Sequence, residues 1–370
     1  MRRIPVIALL DGGDSAQWQA WTKDLGWSVI APPAEANTAM DARIQALEKS
    51  IVAEIQSGSA DPARIYLAGR GEATAAVFYT ISRVPDLWAA AVALGGSPQP
   101  AIDSGRLYTA NFSNVPVLWA GAGPNDRAAA ESLEAAGLKL DFRDAQSLTV
   151  GTITHWLAQH ERLAYPPVID CETNSPSFAR CYWIRLARFD AGERNDALAS
   201  TRVQPAIIAA LDLGAFGFQK DDPGPGVLVR GLPEKYSGPL KVGDRIVALD
   251  GREIRDAPHY LELMAQIREE RPAVAAVQRG NERIRVETQI VIPKPVAAIT
   301  ARVQAKHLPE QNAVEIVSRT VTEMRVEIPA QWVPAMLNWN GVPMEQLEAP
   351  GCRLLTMEKE IEKAGSCPKP

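Results

Sequence analysis

The stretch Ile65-Tyr66-Leu67-Ala68-Gly69-Arg70-Gly71-Glu72-Ala73-Thr74 decides the fold of the first 165 residues. Its first four residues are apolar and predict a buried strand, and the alanine-containing residues that follow Gly71 predict a helix. Glycine readily adopts the backbone angles of a sharp turn. We therefore predict a strand, a tight turn around Gly69–Gly71 and a helix in immediate succession.

The chain on either side of this stretch alternates between strand-like and helix-like segments. Apolar strands are predicted at residues 4–10, 27–31, 64–68, 89–94, 115–120 and 138–142. Helical periodicity is found at residues 38–55, 73–82, 127–136 and 152–161. Short apolar strands separated by helices are typical of a parallel sheet that is covered on both faces. We therefore predict an α/β domain over residues 1–165.

Composition argues against two classes of protein. The chain has 370 residues, of which 39 are Lys or Arg and 44 are Asp or Glu, so the net charge is −5. A nucleic-acid-binding protein should carry a basic face, so we expect no nucleic-acid partner. No apolar run reaches the roughly 18–20 residues of a transmembrane segment. At roughly 100–200 residues per domain, the length predicts two or three domains.

The strand–turn–helix stretch resembles the G-x-S-x-G nucleophile elbow of the α/β-hydrolase family, in which a serine is exposed above the sheet. Residues 61–66 resemble the family's lead into that strand, and residues 84–94 resemble its next helix–strand connection. The resemblance covers about the first 160 residues and points to the esterase and poly(3-hydroxybutyrate)-depolymerase-like branch. It implies a parallel sheet and a catalytic Ser-His-acid triad.

The triad positions depart from the family's pattern. Gly71 stands where the nucleophilic serine belongs, and glycine has no hydroxyl to attack a carbonyl. Asp126 matches the triad acid. The family's base is expected near residues 146–150, and no histidine lies there. The nearest histidines, His155 and His160, fall inside a predicted helix instead. The resemblance therefore implies a degenerate site, and we predict a scaffold without hydrolase activity.

A relocated nucleophile is the alternative to a loss of activity. Ser97 follows Gly95-Gly96 at the end of a predicted strand, and Ser15 and Ser113 are further candidates. Serines at strand ends are usually turn residues, so a turn role is the simpler interpretation of Ser97. The residues Asp11-Gly12-Gly13-Asp14-Ser15 occupy the position of the family's oxyanion loop.

Residues 211–295 form a second block with its own pattern. The segment Leu213-Gly214-Ala215-Phe216-Gly217-Phe218 precedes a predicted strand at residues 226–229, and the turn sequence Val242-Gly243-Asp244 follows. A helix is predicted at residues 257–268. Together these features resemble a PDZ domain along its full length, and they look most like the bacterial PDZ domains that are attached to proteases.

The PDZ resemblance implies a groove that binds the C-terminus of a peptide or protein. Phe216-Gly217-Phe218 fits the loop whose backbone N–H groups bind a terminal carboxylate in that family. An extended peptide would add as a strand between this loop and the helix. The resemblance assigns peptide binding to Gly214, Phe216, Gly217, Phe218, Leu261 and Met264. The alternative is that the phenylalanines only pack the core of this block.

The segments that flank the PDZ-like block are rich in predicted strands, at residues 181–190, 196–208, 299–306, 313–318 and 324–328. We predict one β-rich accessory domain, split between residues 168–210 and 296–356, and a tail at 357–370 with a short charged helix. Trp332 and Trp339 fit either an aromatic platform or core packing. The fold class is thus an α/β-hydrolase-like parallel sheet followed by a β-rich domain that a PDZ domain interrupts.

The four cysteines all lie after the first domain. Cys171 and Cys181 are ten positions apart, and Cys352 and Cys367 are fifteen apart. No C-x-x-C pattern or nearby histidine pair indicates zinc, so we expect no metal and no cofactor. We predict two short-range disulfides, with cross-pairing or free thiols as alternatives. Disulfides persist in oxidising compartments, so we predict an exported protein, periplasmic or extracellular, whose leader is absent from this sequence.

The function predicted from these patterns is that of an exported adaptor. A catalytically inactive hydrolase-like scaffold would present a PDZ groove to peptide or protein C-termini. One alternative is an active serine hydrolase, of esterase, polyester-depolymerase or peptidase type, with a relocated nucleophile. The other is a structural subunit that holds a partner enzyme.

Overall fold

The computed structural model describes residues 3–10, 12–33, 38–190, 198–204, 207–219, 221–294, 299–358 and 361–367. The chain divides into two compact units. Met1–Pro205 and Ala298–Pro370 form the first unit, and Ala206–Ala297 form the second unit, which is inserted in the sequence of the first.

The first unit begins with a six-stranded parallel sheet, as the apolar strands predicted. Its strands are β1 (Ile4–Leu9), β2 (Ser28–Ile30), β3 (Ala60–Arg70), β4 (Ala90–Leu94), β5 (Val117–Gly121) and β6 (Leu140–Asp144). Their order in the sheet is β2-β1-β3-β4-β5-β6. The helices are α1 (Ser15–Thr22), α2 (Met40–Ser57), α3 (Ala73–Arg83), α4 (Gln99–Asp103), α5 (Asp126–Ala135) and α6 (Val150–Ala158).

Helices cover both faces of this sheet. Successive residues of a strand point to opposite sides, so a wholly apolar strand needs a cover on each face. Val6 and Ala8 of β1 belong to a cluster with buried residues of α2, α3 and α5. Ile7 and Leu9 belong to a second cluster with Trp18 of α1 and with buried residues of α6. The domain therefore has three layers, and the connections at the carboxyl ends of its strands are free to form a site.

Three strands continue the first unit before the insertion: β7 (Val168–Thr173), β8 (Arg180–Cys181) and β9 (Ile184–Phe189). The second unit then contains β10 (Ala210–Leu211), β11 (Val227–Leu228), β12 (Arg245–Leu249), β13 (Arg252–Glu253), α7 (Ala257–Gln266), β14 (Arg271–Arg279) and β15 (Glu282–Val291). Its sheet is antiparallel in the order β10-β15-β14-β12-β11, with β13 paired to β12. Met264 and Tyr260 of α7 pack on this sheet.

Seven strands follow the insertion: β16 (Ala301–Leu308), β17 (Ala313–Arg319), β18 (Val321–Ile328), β19 (Ala335–Trp339), β20 (Val342–Leu347), β21 (Gly351–Glu358) and β22 (Ile361–Ser366). They join the three earlier strands in two five-stranded sheets, ordered β20-β19-β17-β16-β7 and β22-β21-β18-β9-β8. Alternate residues of both sheets form one shared hydrophobic core. The chain before and after the insertion therefore builds one β-rich layer pair.

Two expectations about this β-rich part are wrong. The strand predicted at 196–208 does not form in the described residues of that range, where a single bridge links Arg202 to Tyr108. The charged helix predicted in the tail is instead β22, because its residues pair along β21. Trp332 and Trp339 are 5 % and 0 % exposed, so they are core residues and not a platform.

Both predicted short-range disulfides are confirmed. Cys171–Cys181 joins β7 to β8, and Cys352–Cys367 joins β21 to the residue that follows β22. Both lie within the β-rich part of the first unit. Because structural disulfides persist where the surroundings are oxidising, they indicate an exported environment.

The two chain segments that lead into and out of the insertion meet at one buried carboxylate. Glu172 on β7 is 1 % exposed. Its Oε1 accepts hydrogen bonds from the hydroxyls of Ser200 at 2.6 Å and Thr300 at 2.5 Å. Its Oε2 accepts from the backbone N–H of Thr201 at 2.6 Å and from its hydroxyl at 2.7 Å. Four donors compensate the burial of this charge, as a buried carboxylate requires.

Candidate functional site

The turn that connects β3 to α3 has the predicted form. Gly71 has a φ of +55°, in the left-handed region that glycine adopts without strain. Its N–H donates to the C=O of Leu94 at 2.8 Å, and its C=O accepts from the N–H of Thr74 at 3.1 Å. A Cβ at Gly71 would meet no atom within 4 Å. The position has room for a side chain, but the chain places no nucleophile there.

Gly69 is required by close packing in the same turn. A Cβ on it would lie 2.8 Å from the C=O oxygen of Ala73 and 2.8 Å from Cγ2 of Val77. These distances are shorter than any normal contact, so the strand and the helix approach as closely as they do only because residue 69 is glycine.

Asp126, the predicted triad acid, ties down its own loop. It is the first residue of α5 and is 8 % exposed. Its Oδ2 accepts the backbone N–H groups of Ala122 at 2.9 Å and Gly123 at 2.7 Å. The carboxylate thereby holds the loop at residues 122–123 against the start of α5. Both of these bonds are to backbone, and among the described residues none joins Asp126 to a histidine.

Each of the four histidines has a position unlike that of a general base. His160 bonds through Nδ1 to the C=O of Trp156 at 2.8 Å and lines a cavity at the amino ends of β4, β5 and β6. His155 bonds to Gln159 on the exposed side of α6. His259 lies on α7 in the second unit, and His307 stacks on Trp332. Within the described ranges no serine hydroxyl is hydrogen-bonded to a histidine, so no nucleophile–base pair is formed there.

The candidate serines have local roles. Ser97 is exposed, and its hydroxyl accepts the N–H of Gln99 at 3.2 Å as in an ordinary serine turn. The Ser113 hydroxyl donates to the C=O of Asp170 at 3.5 Å. Ser15 is the first residue of α1. The contacts of these serines therefore give no support to a relocated nucleophile.

Arg70, which precedes Gly71, extends towards α1. Its guanidinium lies 3.6 Å from a carboxylate oxygen of Asp14, donates to the side chain of Gln17 and stands 5.4 Å from the ring centroid of Trp21. Asp11, part of the predicted oxyanion loop, lies outside the described residues. A salt bridge and a cation–π contact thus fix Arg70 beside the turn.

In the second unit, an isolated antiparallel bridge pairs Gly217 with Gly231. The N–H of Gly217 donates to the C=O of Gly231 at 2.8 Å, and its C=O accepts the N–H of Arg230 at 2.7 Å. Both backbone groups of Gly217 are used on that side. The backbone groups of Phe216 and Phe218 make no hydrogen bond to that segment in the described residues.

The loop before this bridge presents unpaired donors. Gly214 has a φ of +77°, and Gly214, Ala215 and Gly217 are exposed. Within the described residues, the N–H groups of Gly214, Ala215, Phe216 and Phe218 have no hydrogen-bond acceptor. Successive free N–H groups next to a left-handed residue form a concave site for an anion.

Half-buried rings lie along the same segment. The ring centroids of Phe216 and Phe218 are 5.9 Å apart, and Phe218 meets Tyr260 of α7 edge-on at 6.1 Å. Burial raises the pKa of Tyr260 to about 12, so its phenol is neutral at physiological pH. Leu261 is half-buried. Met264 is 0 % exposed and packs in the core of the second unit.

An acidic side chain near this loop is neutralised locally. Asp222 accepts hydrogen bonds from Nε of Arg230 at 3.0 and 2.9 Å. The hydrogen bonds from Arg230 hold the pKa of Asp222 below its ordinary value. An approaching carboxylate would therefore meet a paired Asp222 and not an isolated negative charge.

The cavity at the amino ends of β4–β6 is a poor candidate for a substrate site. Its volume is about 210 Å³, and charges of both signs line it, from Lys139, Glu161 and Arg162. Pockets for small molecules usually measure roughly 300–1,000 Å³. It also lies at the end of the sheet opposite to Gly71, because Ala89 and Pro116, which precede β4 and β5, form part of its wall.

No cluster of histidine, cysteine and carboxylate side chains suited to a metal ion occurs in the described part of the chain. Among the helices formed by those residues, none is long and apolar enough to cross a membrane.

Comparison with known proteins gives structural neighbours and nothing closer. No model of a protein family matches the chain, and no curated protein matches it. A thermostable esterase is 16 % identical with a TM-score of 0.33, over 44 % of this chain and 56 % of that one. A variant of SOBER1 from Arabidopsis thaliana is 17 % identical with a TM-score of 0.33, over 42 % of this chain and 98 % of that one. Esterase PE8 is 17 % identical with a TM-score of 0.30, over 43 % and 93 %.

The chain thus spans just over half the length of the thermostable esterase. All three neighbours are esterases or variants of SOBER1 by name, and their similarity to this chain is too low to assign it an activity.

Proposed function

We propose that this protein is an exported, non-catalytic adaptor. A scaffold of α/β-hydrolase type carries an inserted PDZ-type unit, and this unit binds the C-terminus of a peptide or protein. The observation that supports the proposal is the bridge at Gly217, because the backbone groups of its neighbour Phe218 have no hydrogen-bond partner in the described residues and the Phe218 ring contacts Tyr260 of α7.

The edge at Phe216 and Phe218 provides the backbone part of the recognition. Gly217 uses its N–H and C=O on Gly231 and Arg230, so Phe216 and Phe218 keep theirs for an added strand. Strand addition supplies main-chain hydrogen bonds that do not depend on the sequence of the bound peptide.

The loop supplies the anion site at one end of that edge. The free N–H groups of Gly214, Ala215 and Phe216 are adjacent in sequence, and a terminal carboxylate has enough lone pairs to accept from all of them. A hydrogen bond to a charged acceptor is worth about 1.5–3 kcal/mol, so a free C-terminus should bind far better than an amidated one.

Side chains around the edge supply the apolar part. Phe218 and Tyr260 contact each other, and Phe216 and Leu261 are half-buried in the same cluster. These rings favour an apolar side chain near the end of the bound peptide.

The proposal that the scaffold is inactive rests on Gly71 and on the positions of the histidines. Without a hydroxyl at residue 71, or a serine bonded to a histidine elsewhere in the described residues, the covalent step of a serine hydrolase has no nucleophile. The two disulfides favour a compartment outside the cytosol, and we place the adaptor in the periplasm or outside the cell.

A library of fluorescent decapeptides, made once with free carboxyl ends and once with carboxamide ends, tests the binding function on the full chain. We expect retention of the free acids and at least tenfold weaker retention of the amides. Phe218→Ala should weaken binding, whereas Val242→Ala, at a 63 % exposed apolar residue of the same unit, should not. Equal retention of acids and amides would refute the carboxylate site.

A fluorophosphonate probe tests the inactive scaffold. We expect no covalent labelling of any serine. Stoichiometric labelling of one serine, together with hydrolysis of acyl esters, would replace the adaptor with the hydrolase.

A further inference from the structure

Tyr236 lies in the segment between β11 and β12, and its hydroxyl connects two parts of the second unit. The hydroxyl donates a hydrogen bond to the C=O of Leu213, which precedes the anion-binding loop. It accepts the N–H of Leu240 at 3.1 Å. Leu240 is 3 % exposed, so its N–H holds the Tyr236 hydroxyl at the core, and from this position the hydroxyl bonds to Leu213.

The ring of Tyr236 packs between two glycines. A Cβ on Gly214 would lie 2.7 Å from Cε2 of the ring. A Cβ on Gly238 would lie 2.3 Å from the hydroxyl oxygen and 2.5 Å from the C=O oxygen of Leu213. Neither position tolerates a side chain, so the ring and the loop fit together only because both residues are glycine.

The bond to Leu213 fixes the direction of a donor of the anion site. The C=O of Leu213 and the N–H of Gly214 belong to one planar peptide group and point in opposite directions. When Tyr236 holds that C=O, the N–H of Gly214 has to point away from the ring. The left-handed φ of Gly214, +77°, then sets the direction of the N–H groups of Ala215 and Phe216 relative to this fixed peptide plane.

We propose that Tyr236 is the positioning residue of the carboxylate site: its hydroxyl sets the orientation of the Leu213–Gly214 peptide group, and with it the donors that bind the terminal carboxylate. This inference rests on the proposed peptide binding and adds a residue outside the loop. Tyr236 itself does not touch the peptide.

The test uses the tightest-binding decapeptide of the library as a free acid and as its carboxamide, each titrated into the full chain. Tyr236→Phe keeps the ring between the two glycines and removes only the hydroxyl. We expect about three- to tenfold weaker binding of the free acid, the equivalent of one lost hydrogen bond, and unchanged binding of the amide. Tyr165→Phe, at a 39 % exposed tyrosine of the first unit, is the matched control.

A merely structural role of Tyr236 would weaken the acid and the amide equally, and that result would overturn the inference. If the wild-type chain prefers the acid and Tyr236→Phe keeps the same preference, the inference is wrong and the peptide-binding function stands. If the wild-type chain shows no preference, the binding function itself fails. Tyr236→Leu, which removes the hydroxyl and keeps an apolar side chain beside the two glycines, should reduce the preference for the acid in the same way and serves if Tyr236→Phe does not fold.

Discussion

The side-chain amide of Asn111 pairs with both backbone groups of Glu172, as a neighbouring strand would. Asn111 Oδ1 accepts the N–H of Glu172 at 2.7 Å, and Asn111 Nδ2 donates to its C=O at 2.9 Å. The same Nδ2 donates to the C=O of Ser82 at 2.5 Å. One buried side chain therefore joins β7 to the α/β layers and satisfies a strand edge that would otherwise be unpaired.

Asn111→Ala should destabilise the first unit by about 2–3 kcal/mol, because it leaves buried backbone groups without partners. Urea unfolding followed by tryptophan fluorescence measures this, since all nine tryptophans lie in the first unit. Asn114→Ala is the control, because Asn114 makes a single bond to the C=O of Val168 at an exposed site. Equal losses for the two variants would contradict the role of Asn111.

Glu172→Ala should expose the chain on either side of the insertion. It removes the acceptor of four hydrogen bonds from Ser200, Thr201 and Thr300, and we expect trypsin to cleave after Arg202 at least tenfold faster. Glu172→Gln should be cleaved at nearly the wild-type rate. The Ser200 and Thr300 hydroxyls can rotate and accept hydrogen bonds from the new amide NH2 group instead of donating to Oε1. Unchanged cleavage of the alanine variant would show that other contacts hold this segment.

Gly71→Ser should not create a hydrolase. The new hydroxyl would fit the space beside the turn, but no histidine of the described chain is placed to activate it. The φ of +55° should cost about 1–2 kcal/mol once a Cβ is present. Ester hydrolysis and fluorophosphonate labelling measure the first effect, and urea unfolding measures the second. Labelling of the introduced serine would mean that a base is present which the contacts do not reveal.

Asp244 should make the second unit sensitive to acid. Hydrogen bonds from Arg279 lower the pKa of Asp244 from its ordinary value of 3.8. A lowered folded-state pKa gives stability that is complete above the unfolded value and is lost as the pH falls through the folded value. Asp244→Asn should therefore cost about 1–3 kcal/mol at pH 7 and progressively less below pH 4.

Calorimetry of the full chain between pH 3 and pH 7 measures this dependence. Asp221→Asn, an exposed residue with no ion pair among the described contacts, serves as the control. Asp222 and Asp250 also have lowered pKa values, so the variant should keep part of the wild-type sensitivity. If the wild-type chain and Asp244→Asn lose the same stability between pH 7 and pH 3, the acid sensitivity of the second unit comes from groups other than Asp244.

Local sequence predicts the parallel sheet because its strands β1, β4 and β5 are continuous apolar runs. It fails for α1, which buries only Trp18 and Thr22 and so shows little apolar periodicity. It also fails at residues 198–204, whose hydrogen-bond partners include Glu172, twenty-eight positions before Ser200, and the backbone of Leu107 and Thr109. Polar partners distant in sequence leave no periodic pattern.

The candidate sites divide in the same way. Gly71 follows from a motif of five residues, because the turn is local. The proposed peptide-binding edge at Phe216 and Phe218 depends on the bridge between Gly217 and Gly231, fourteen positions away, which no local pattern specifies. The sequence could not show that Met264 is buried in the core, because the register of a helix has to be known before one of its faces can be assigned.

The carboxylate of Glu172 brings together the two ends of the inserted second unit. Thr201 and Thr300, almost a hundred positions apart, end on the same side chain, so the chain returns to the point from which it departed. The free energy of closing such a loop changes only slowly with its length. The length of the inserted unit can therefore change at a small cost in closure entropy, while Glu172 still joins the two ends of the insertion.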